Sequence, residues 1–371
     1  MSKARGLADL GNVYDDGALS NRNLIINGAM TVSQRHGTSS VQLSATEQYL
    51  VDRFFNDVAS SFNMSADAVQ STDAPAGFAN SLKLSCDATQ SLSSSANGCI
   101  TQHIEGQNCQ SAAFGTSEAK DITLSFYAKS GSQNSGHTYG IMLGAFLNGT
   151  RSCQTKGFTV TDSWQRFTMT FSGTGTVTST AINNDNSSGI QLSFSLAAGS
   201  NDEKNYSTWT NDAGLRGFTG QDNFFDNTSN EFYLTGVQLE VGDTATPFEH
   251  LLYDQTHLLC QRYFQRFGGG VTNGRMGVGA WNSSTSADIA VHLTHEMRVI
   301  PTVTVVQAGR LLDYAVAWHD VTSLVGTTEN TAKMLNLNLQ NTTQPSAANQ
   351  GDVAALGGGG AAFDYLIDAE L

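Results

Sequence analysis

Short alternating segments separated by polar turns are the feature that most constrains this 371-residue chain. From about residue 50 to residue 248 the pattern is short apolar strands with turns, several of them alternating at every second position. In Asp121–Lys129, Ile122, Leu124, Phe126 and Ala128 share one parity. Leu82, Leu84 and Cys86 alternate with Ser81, Lys83 and Ser85. Further runs are Tyr139–Leu147, Phe167–Phe171, Gln191–Leu196 and Phe232–Val241, with turn clusters such as SGSQNSG and NNDNSSG between them. A period of two is that of a strand with one buried face. No helical pattern intervenes, so a βαβ arrangement is excluded and an antiparallel sandwich or barrel is expected. The 19 Phe, 10 Tyr and 4 Trp are enough to fill a core of that kind.

Charge narrows the function. Only 14% of residues are charged, and 33 Asp+Glu against 19 Lys+Arg leave a net charge of −14. Nucleic acid and anionic membranes need clustered cations, so neither is expected as a partner. No apolar run is long enough to span a bilayer, and the first residues lack the apolar core of a secretory leader. The five cysteines, Cys86, Cys99, Cys109, Cys153 and Cys260, contain no CxxC pair and read as buried thiols. A bridge between Cys99 and Cys109 stays open.

Residues 1–22 are glycine-rich, with few large apolar groups, and read as an extended arm that orders against a partner. Asn23–Met30 (NLIINGAM) reads as a short strand closed by an Asn-Gly turn. The one helical pattern comes after Pro247, where Leu252, Leu259, Tyr263 and Phe267 fall on one face and Gly268–Gly270 ends the run. This stripe is expected to be an interface. Beyond it Ile289, Val291 and Leu293 alternate, LNLNL comes next at Leu335–Leu339, and Phe363, Tyr365, Ile367, Ala369 and Leu371 share a parity in a final strand. The expected domains are an arm over 1–22, a sandwich over 23–248, a connector helix and glycine turn over 249–270, and a C-terminal β-domain over 271–371.

Several motifs stand in order: NRNLIINGAM (Asn21–Met30), VDRF (Val51–Phe54), LTGVQLEVG (Leu234–Gly242), ATPFEH (Ala245–His250) and LCQRYF (Leu259–Phe264). Together they resemble tail-fibre and minor structural proteins of tailed bacteriophages, especially those of marine and cyanobacterial hosts. TLSFYAKSG (Thr123–Gly131), TDSWQRFTMTF (Thr161–Phe171) and the closing LTGVQLEVG strand are similar to the jelly roll of carbohydrate-binding modules. The resemblance implies a non-enzymatic virion protein, most readily a homotrimeric tail-fibre subunit. Such a protein would dock on other virion proteins through residues 1–22, with host surface polysaccharide as a further contact. It leaves room for a structural calcium ion in the jelly roll. A capsid- or neck-attached decoration protein and a polysaccharide depolymerase are the alternatives.

No residue pattern carries a catalytic site, a cofactor site or a metal site. His292, His295 and Glu296 lack the i, i+4 helical spacing of a zinc motif. Asp313, His319 and Asp320 near Ser323 lack a nucleophile elbow. Asp222, Asp226 and Glu231 are read as loop acids rather than a glycosidase pair. A sugar presents an apolar C–H face that stacks on a flat aromatic ring. Tyr206 and Trp209, in the polar loop NDEKNYSTWTND, and Trp281 are therefore the candidate glycan contacts. Trp164, within a strand motif, reads as framework.

Overall fold

The computed structural model describes residues 21–59, 62–147, 149–174, 181–313, 317–326, 330–341 and 350–371. The arm expected over 1–22 therefore lies, apart from Asn21 and Arg22, outside the described residues. The chain divides into two compact units, the first running to Thr256 and including Leu371, the second spanning His257–Glu370.

The first unit contains β1 (Val41–Gln42), β2 (Gln48–Val51), β3 (Phe54–Ala59), β4 (Ala66–Ser71), β5 (Ser81–Cys86), β6 (Asn97–Glu105), β7 (Ile122–Ser130), β8 (Thr138–Leu147), β9 (Thr150–Thr159), β10 (Gln165–Phe171), β11 (Ser188–Ala198), β12 (Glu203–Lys204), β13 (Thr210–Asn211), β14 (Gly217–Phe218) and β15 (Glu231–Val241). They form a jelly-roll sandwich of a six-stranded sheet, β1-β4-β5-β15-β7-β10, and a seven-stranded sheet, β13-β9-β8-β11-β6-β3-β2. Every ladder in both sheets is antiparallel.

Alternation decides what each strand buries. In β7, Ile122, Leu124, Phe126 and Ala128 enter the core, as expected. In β11, Ile190, Leu192, Phe194 and Leu196 do the same. Phe126 touches Phe158, Phe167 and Phe194 at ring centroids of 5.0–5.2 Å, so aromatic edges and faces lock the two sheets together. The complementary parity of β11, Gln191, Ser193 and Ser195, points to the outer face of the seven-stranded sheet. These residues are nevertheless buried, because further structure lies over them.

The motif segments meet at one place. Asn23 accepts from Ile25 N and Leu239 N at 3.0 Å and donates to Val237 O at 3.1 Å. The Glu249 carboxylate accepts from Asn21 N (2.7 Å) and Asn23 N (3.0 Å), while its own N–H donates to Gln238 Oε1 (2.8 Å). Arg22 donates to Pro247 O (2.8 Å). NRNLIINGAM is thus strapped to LTGVQLEVG and ATPFEH in a clasp. The Asn-Gly pair works differently from the expected hairpin. Asn27 adopts φ +61° and donates to Val32 O and Asp52 O, both at 2.9 Å, in a tight turn rather than at the end of a strand. Gly28 is required by proximity, since a Cβ there would lie 2.0 Å from Val237 O.

The connector differs from expectation. The helix α1 spans only Tyr253–Gln261, and the chain then forms β16 (Phe264–Val271). Leu252 and Leu259 are 72% and 41% exposed, whereas Tyr263 is 1% exposed and Phe267 packs against a strand core. The 3.6-residue spacing of the four was a coincidence, because Phe264–Phe267 pair with the last strand instead of continuing the helix. Gly268, Gly269 and Gly270, at φ +90°, +57° and +84°, form a bulge inside β16. Strand structure of the second unit thus begins before residue 271.

The second unit continues with β17 (Arg275–Trp281), β18 (Ser286–His292), β19 (Thr302–Ala308), β20 (Arg310–Leu312), β21 (Trp318–Asp320), β22 (Ser323–Gly326), β23 (Met334–Gln340), β24 (Val353–Gly357) and β25 (Phe363–Asp368). Its sheets are β16-β25-β19 and β21-β20-β24-β17-β18-β23-β22. The two edge strands of the larger sheet, β21 and β22, are consecutive in the chain. Asp320 and Ser323 lie at most about 11 Å apart along the chain, whereas a flat seven-stranded sheet would separate its edges by about 29 Å. The sheet is therefore curled until its edges approach. Val321 N donates to Gly309 O beside β20, and Thr322 N to Gln340 O on β23. Leu335, Leu337, Leu339, Ile289, Val291 and Trp281 fill the interior, with Tyr365 and Ile367 from the smaller sheet.

Candidate functional site

Where the structure puts the expected aromatics removes two of them from any surface. Trp209 is 8% exposed, its indole N–H donates to Ser172 O, and its ring meets Phe114 edge-on at 5.3 Å. Trp281 is fully buried against His319. Neither offers a face to a sugar. Tyr206 is half-buried, and its hydroxyl donates to Asp212 (2.9 Å). Through Asp212 it braces a turn that walls a cleft the sequence did not announce.

That cleft lies on the outer face of the seven-stranded sheet and encloses roughly 390 Å³, within the usual size of small-ligand sites. One wall is the turn Asp212–Arg216. Arg216 grips Asp212 through two nitrogens at 2.6 and 2.7 Å and also pairs with Asp202. Gly214 N donates to Asp212 Oδ1 (2.9 Å), so the turn is held by its own side chains. The lining rings are Phe55, His103 and Phe146 of β3, β6 and β8, with Tyr49 of β2 packed against Phe55. Tyr49 and Phe55 lie 5.3 Å apart, Phe55 and His103 5.7 Å, and His103 and Phe146 5.9 Å. The Arg35 guanidinium lies 4.3 Å above Tyr49.

Beside the rings runs a polar relay. Antiparallel register sets His103 opposite Gln191, and Gln191 opposite Gly144. Gln191 donates to Asp57 Oδ2 and Ser193 Oγ, both at 3.1 Å. Arg151, only 8% exposed, donates to Gln191 Oε1 (2.6 Å), Asp212 O (3.2 Å) and Gly214 O, joining floor to wall. Glycine at 144 makes room for this arginine, since a Cβ there would sit 3.0 Å from Arg151 Cδ.

The electrostatics reflect partial burial. Asp57 is pushed up to about 6, first by burial and then by Glu47, against the pull of Arg151 and a Thr101 hydrogen bond. His103 is pushed down to about 3 by burial, with Arg53 and Arg151 adding to it. Its ring is therefore a neutral, flat surface, hydrogen-bonded to Ser188 Oγ at 2.6 Å. The cleft offers apolar faces and a carboxyl able to donate or accept near pH 6, while both Gln191 amide N–H groups are spent on Asp57 and Ser193.

The remaining polar constellations are occupied. Asp222 accepts from Thr138 N (2.8 Å), Asp226 from Asn230 (2.7 Å), and Glu231 pairs with Lys83 (2.6 Å). His319 does meet Asp313 at 2.9 Å, but Asp320 pairs with Arg310 and Ser323 lies on the next strand, paired with Gln340. Among the described residues no three His, Cys, Asp or Glu gather as a metal cluster. All five cysteines are buried and none is in a disulfide, so Cys99 and Cys109 are not bridged.

No protein-family description and no curated protein matches the chain. Among solved structures it is similar to the CBM22-1 xylan-binding domain of Paenibacillus barcinonensis Xyn10C, at 10% identity and TM-score 0.28, over 57% of this chain and 99% of that one. It is similar to the family 11 carbohydrate-binding module of the Clostridium thermocellum cellulase Lic26A-Cel5E, at 12% identity and TM-score 0.28, over 57% and 98%. It is also similar to the enzymatically active domain of tailspike protein 4 from bacteriophage CBA120, at 12% identity and TM-score 0.30, over 59% of this chain and only 21% of that one. At these identities and scores the likenesses bear on no binding property of this chain.

Proposed function

We propose that the jelly roll is a glycan-binding module and that the chain is a non-enzymatic subunit of a phage virion, most simply a tail fibre. The observation that carries the binding role is the cleft, where Phe55, His103 and Phe146 lie beside the Asp57–Gln191–Arg151 relay. Aromatic rings suit the C–H faces of a sugar, and the Asp57 carboxyl suits its hydroxyls. The virion role rests on the ordered motifs. In this reading residues 1–22 dock on a tail component, the subunit works as a homotrimer, and host surface polysaccharide is the ligand.

The test is retention of the purified protein on immobilised neutral and acidic polysaccharides, for the parent, Phe146→Ala and Gln191→Ala. Loss of a stacking platform worth about 1.5 kcal/mol weakens binding about tenfold. Unchanged retention of both variants on every polysaccharide that holds the parent would exclude the cleft. Particles assembled with a labelled chain lacking residues 1–22 test the arm. Incorporation at the parent level would refute docking through it, and label at the capsid or neck would refute the tail.

A further inference from the structure

The outer face of the six-stranded sheet holds a second arrangement that the cleft does not use. Strand register places Lys129 of β7 beside Tyr233 of β15, and Tyr233 beside Lys83 of β5. Trp164, just before β10, meets Tyr233 edge-on at 6.1 Å and 73°. The Lys129 ammonium lies 4.5 Å from the Tyr233 centroid and 5.6 Å from that of Trp164. Each polar group is held. Trp164 donates its indole N–H to Asp73 Oδ1 (3.1 Å), Lys129 pairs with Asp73 Oδ2 (2.6 Å), Lys83 pairs with Glu231 (2.6 Å), and the Tyr233 hydroxyl donates to Glu231 (2.9 Å).

Trp164 is therefore not the framework residue its motif suggests, for it is only half-buried. Its ring is oriented by a hydrogen bond, so little side-chain freedom remains to be lost on stacking. Asp73, 46% exposed, uses two of the roughly four acceptor positions of a carboxylate and keeps the others for hydroxyl donors. The two ammonium groups and two carboxylates cancel, leaving no net charge to attract an ion. The aromatic surface continues along the same face, with Tyr127 against Phe78 (5.3 Å) and Phe78 against Phe248 (5.0 Å).

We propose that this face is a second carbohydrate site, separate from the cleft and on the opposite sheet, for a neutral oligosaccharide that stacks on Trp164 and hydrogen-bonds Asp73. Charge complementarity selects the ligand class. Every cation here is already neutralised by a carboxylate, which disfavours uronates and sulfated sugars, while the fixed carboxylate at the ring edge suits a hydroxyl.

The experiment is oxidation of tryptophan by N-bromosuccinimide, mapped by peptide mass spectrometry, in the presence of cellohexaose, mannohexaose, maltohexaose or xylohexaose. A hexamer of hyaluronan is the anionic probe. At a ligand concentration twice Kd, oxidation of Trp164 should slow about threefold. The protection should persist in Phe146→Ala, vanish in Asp73→Ala and be absent with hyaluronan. Protection by no neutral probe would overturn the proposal. So would protection that disappears in Phe146→Ala, which would assign the effect to the cleft, or equal protection by hyaluronan. Persistent protection of Trp164 together with parental polysaccharide retention by both cleft variants would instead remove the cleft and leave this site standing.

Discussion

Replacing Asp57 by Asn should make the protein more stable at neutral pH. Burial and Glu47 raise the Asp57 carboxyl from 3.8 to about 6. A raised acid binds its proton more tightly folded than unfolded, so the folded state carries more protons between about pH 4 and pH 6. Stability then falls as pH rises through that window, and the full cost applies above it. The shift of about two pH units corresponds to about 3 kcal/mol. Water in the open cleft screens part of this, and about 1–2 kcal/mol is expected. Asparagine retains an oxygen to accept from Gln191 and carries no charge. Urea unfolding at steps from pH 4 to pH 7.5 should show Asp57→Asn matching the parent at pH 4 and exceeding it by about 1–2 kcal/mol at pH 7.5. A constant difference across the range, or a less stable variant at pH 7.5, would refute the reasoning.

The packing sets three further outcomes. Gly28→Ala drives a Cβ onto Val237 O and should cost about 2 kcal/mol or more in thermal unfolding, whereas a variant that melts with the parent would mean the clasp yields freely. The five buried thiols, with Cys86, Cys99, Cys109 and Cys153 all raised by burial, should react with Ellman's reagent at pH 8 only after unfolding, and prompt native labelling of any of them would contradict the packing. Tyr263→Ala should destabilise by about 3–5 kcal/mol, while Leu259→Ala should change the stability of the isolated chain by no more than about 0.5 kcal/mol. If Leu259→Ala instead shifts the mass measured by light scattering, the exposed face of α1 is an interface between copies.

The strands were legible because a half-buried strand writes its two faces into alternate positions. Ile122 to Ala128 and Phe363 to Ile367 entered cores by the parity that the residues show. The helix was overestimated because period 3.6 over four residues is a weak constraint. Pairing of Phe264–Phe267 with β25 outweighed it. Trp164 and Trp209 exchanged roles because the polarity of flanking residues does not report which side of a sandwich a ring faces. Trp209 enters the sandwich core, while Trp164 is only half-buried on the outer face of the six-stranded sheet. The cleft could not be read from local pattern at all, since Asp57, His103, Arg151 and Gln191 come from four strands and meet only through register. Its one sequence trace is a polar parity, Gln191, Ser193 and Ser195, interleaved with the apolar Ile190, Leu192, Phe194 and Leu196. The motif segments were visible as words, but that they close on one another emerges only from hydrogen bonds between residues more than two hundred apart.

The clasp also decides how force would travel through the molecule. Asn21 and Glu249, 228 positions apart, are joined by a hydrogen bond. The polypeptide thus enters and leaves the jelly roll at a single point. Tension applied between Asn21 and Glu249 is borne by a few short bonds at that point, and the strands between them lie off the line of pull. A pull at these two ends therefore loads the clasp before it loads any ladder of the sandwich, and the jelly roll between them is a closed insertion whose ends meet.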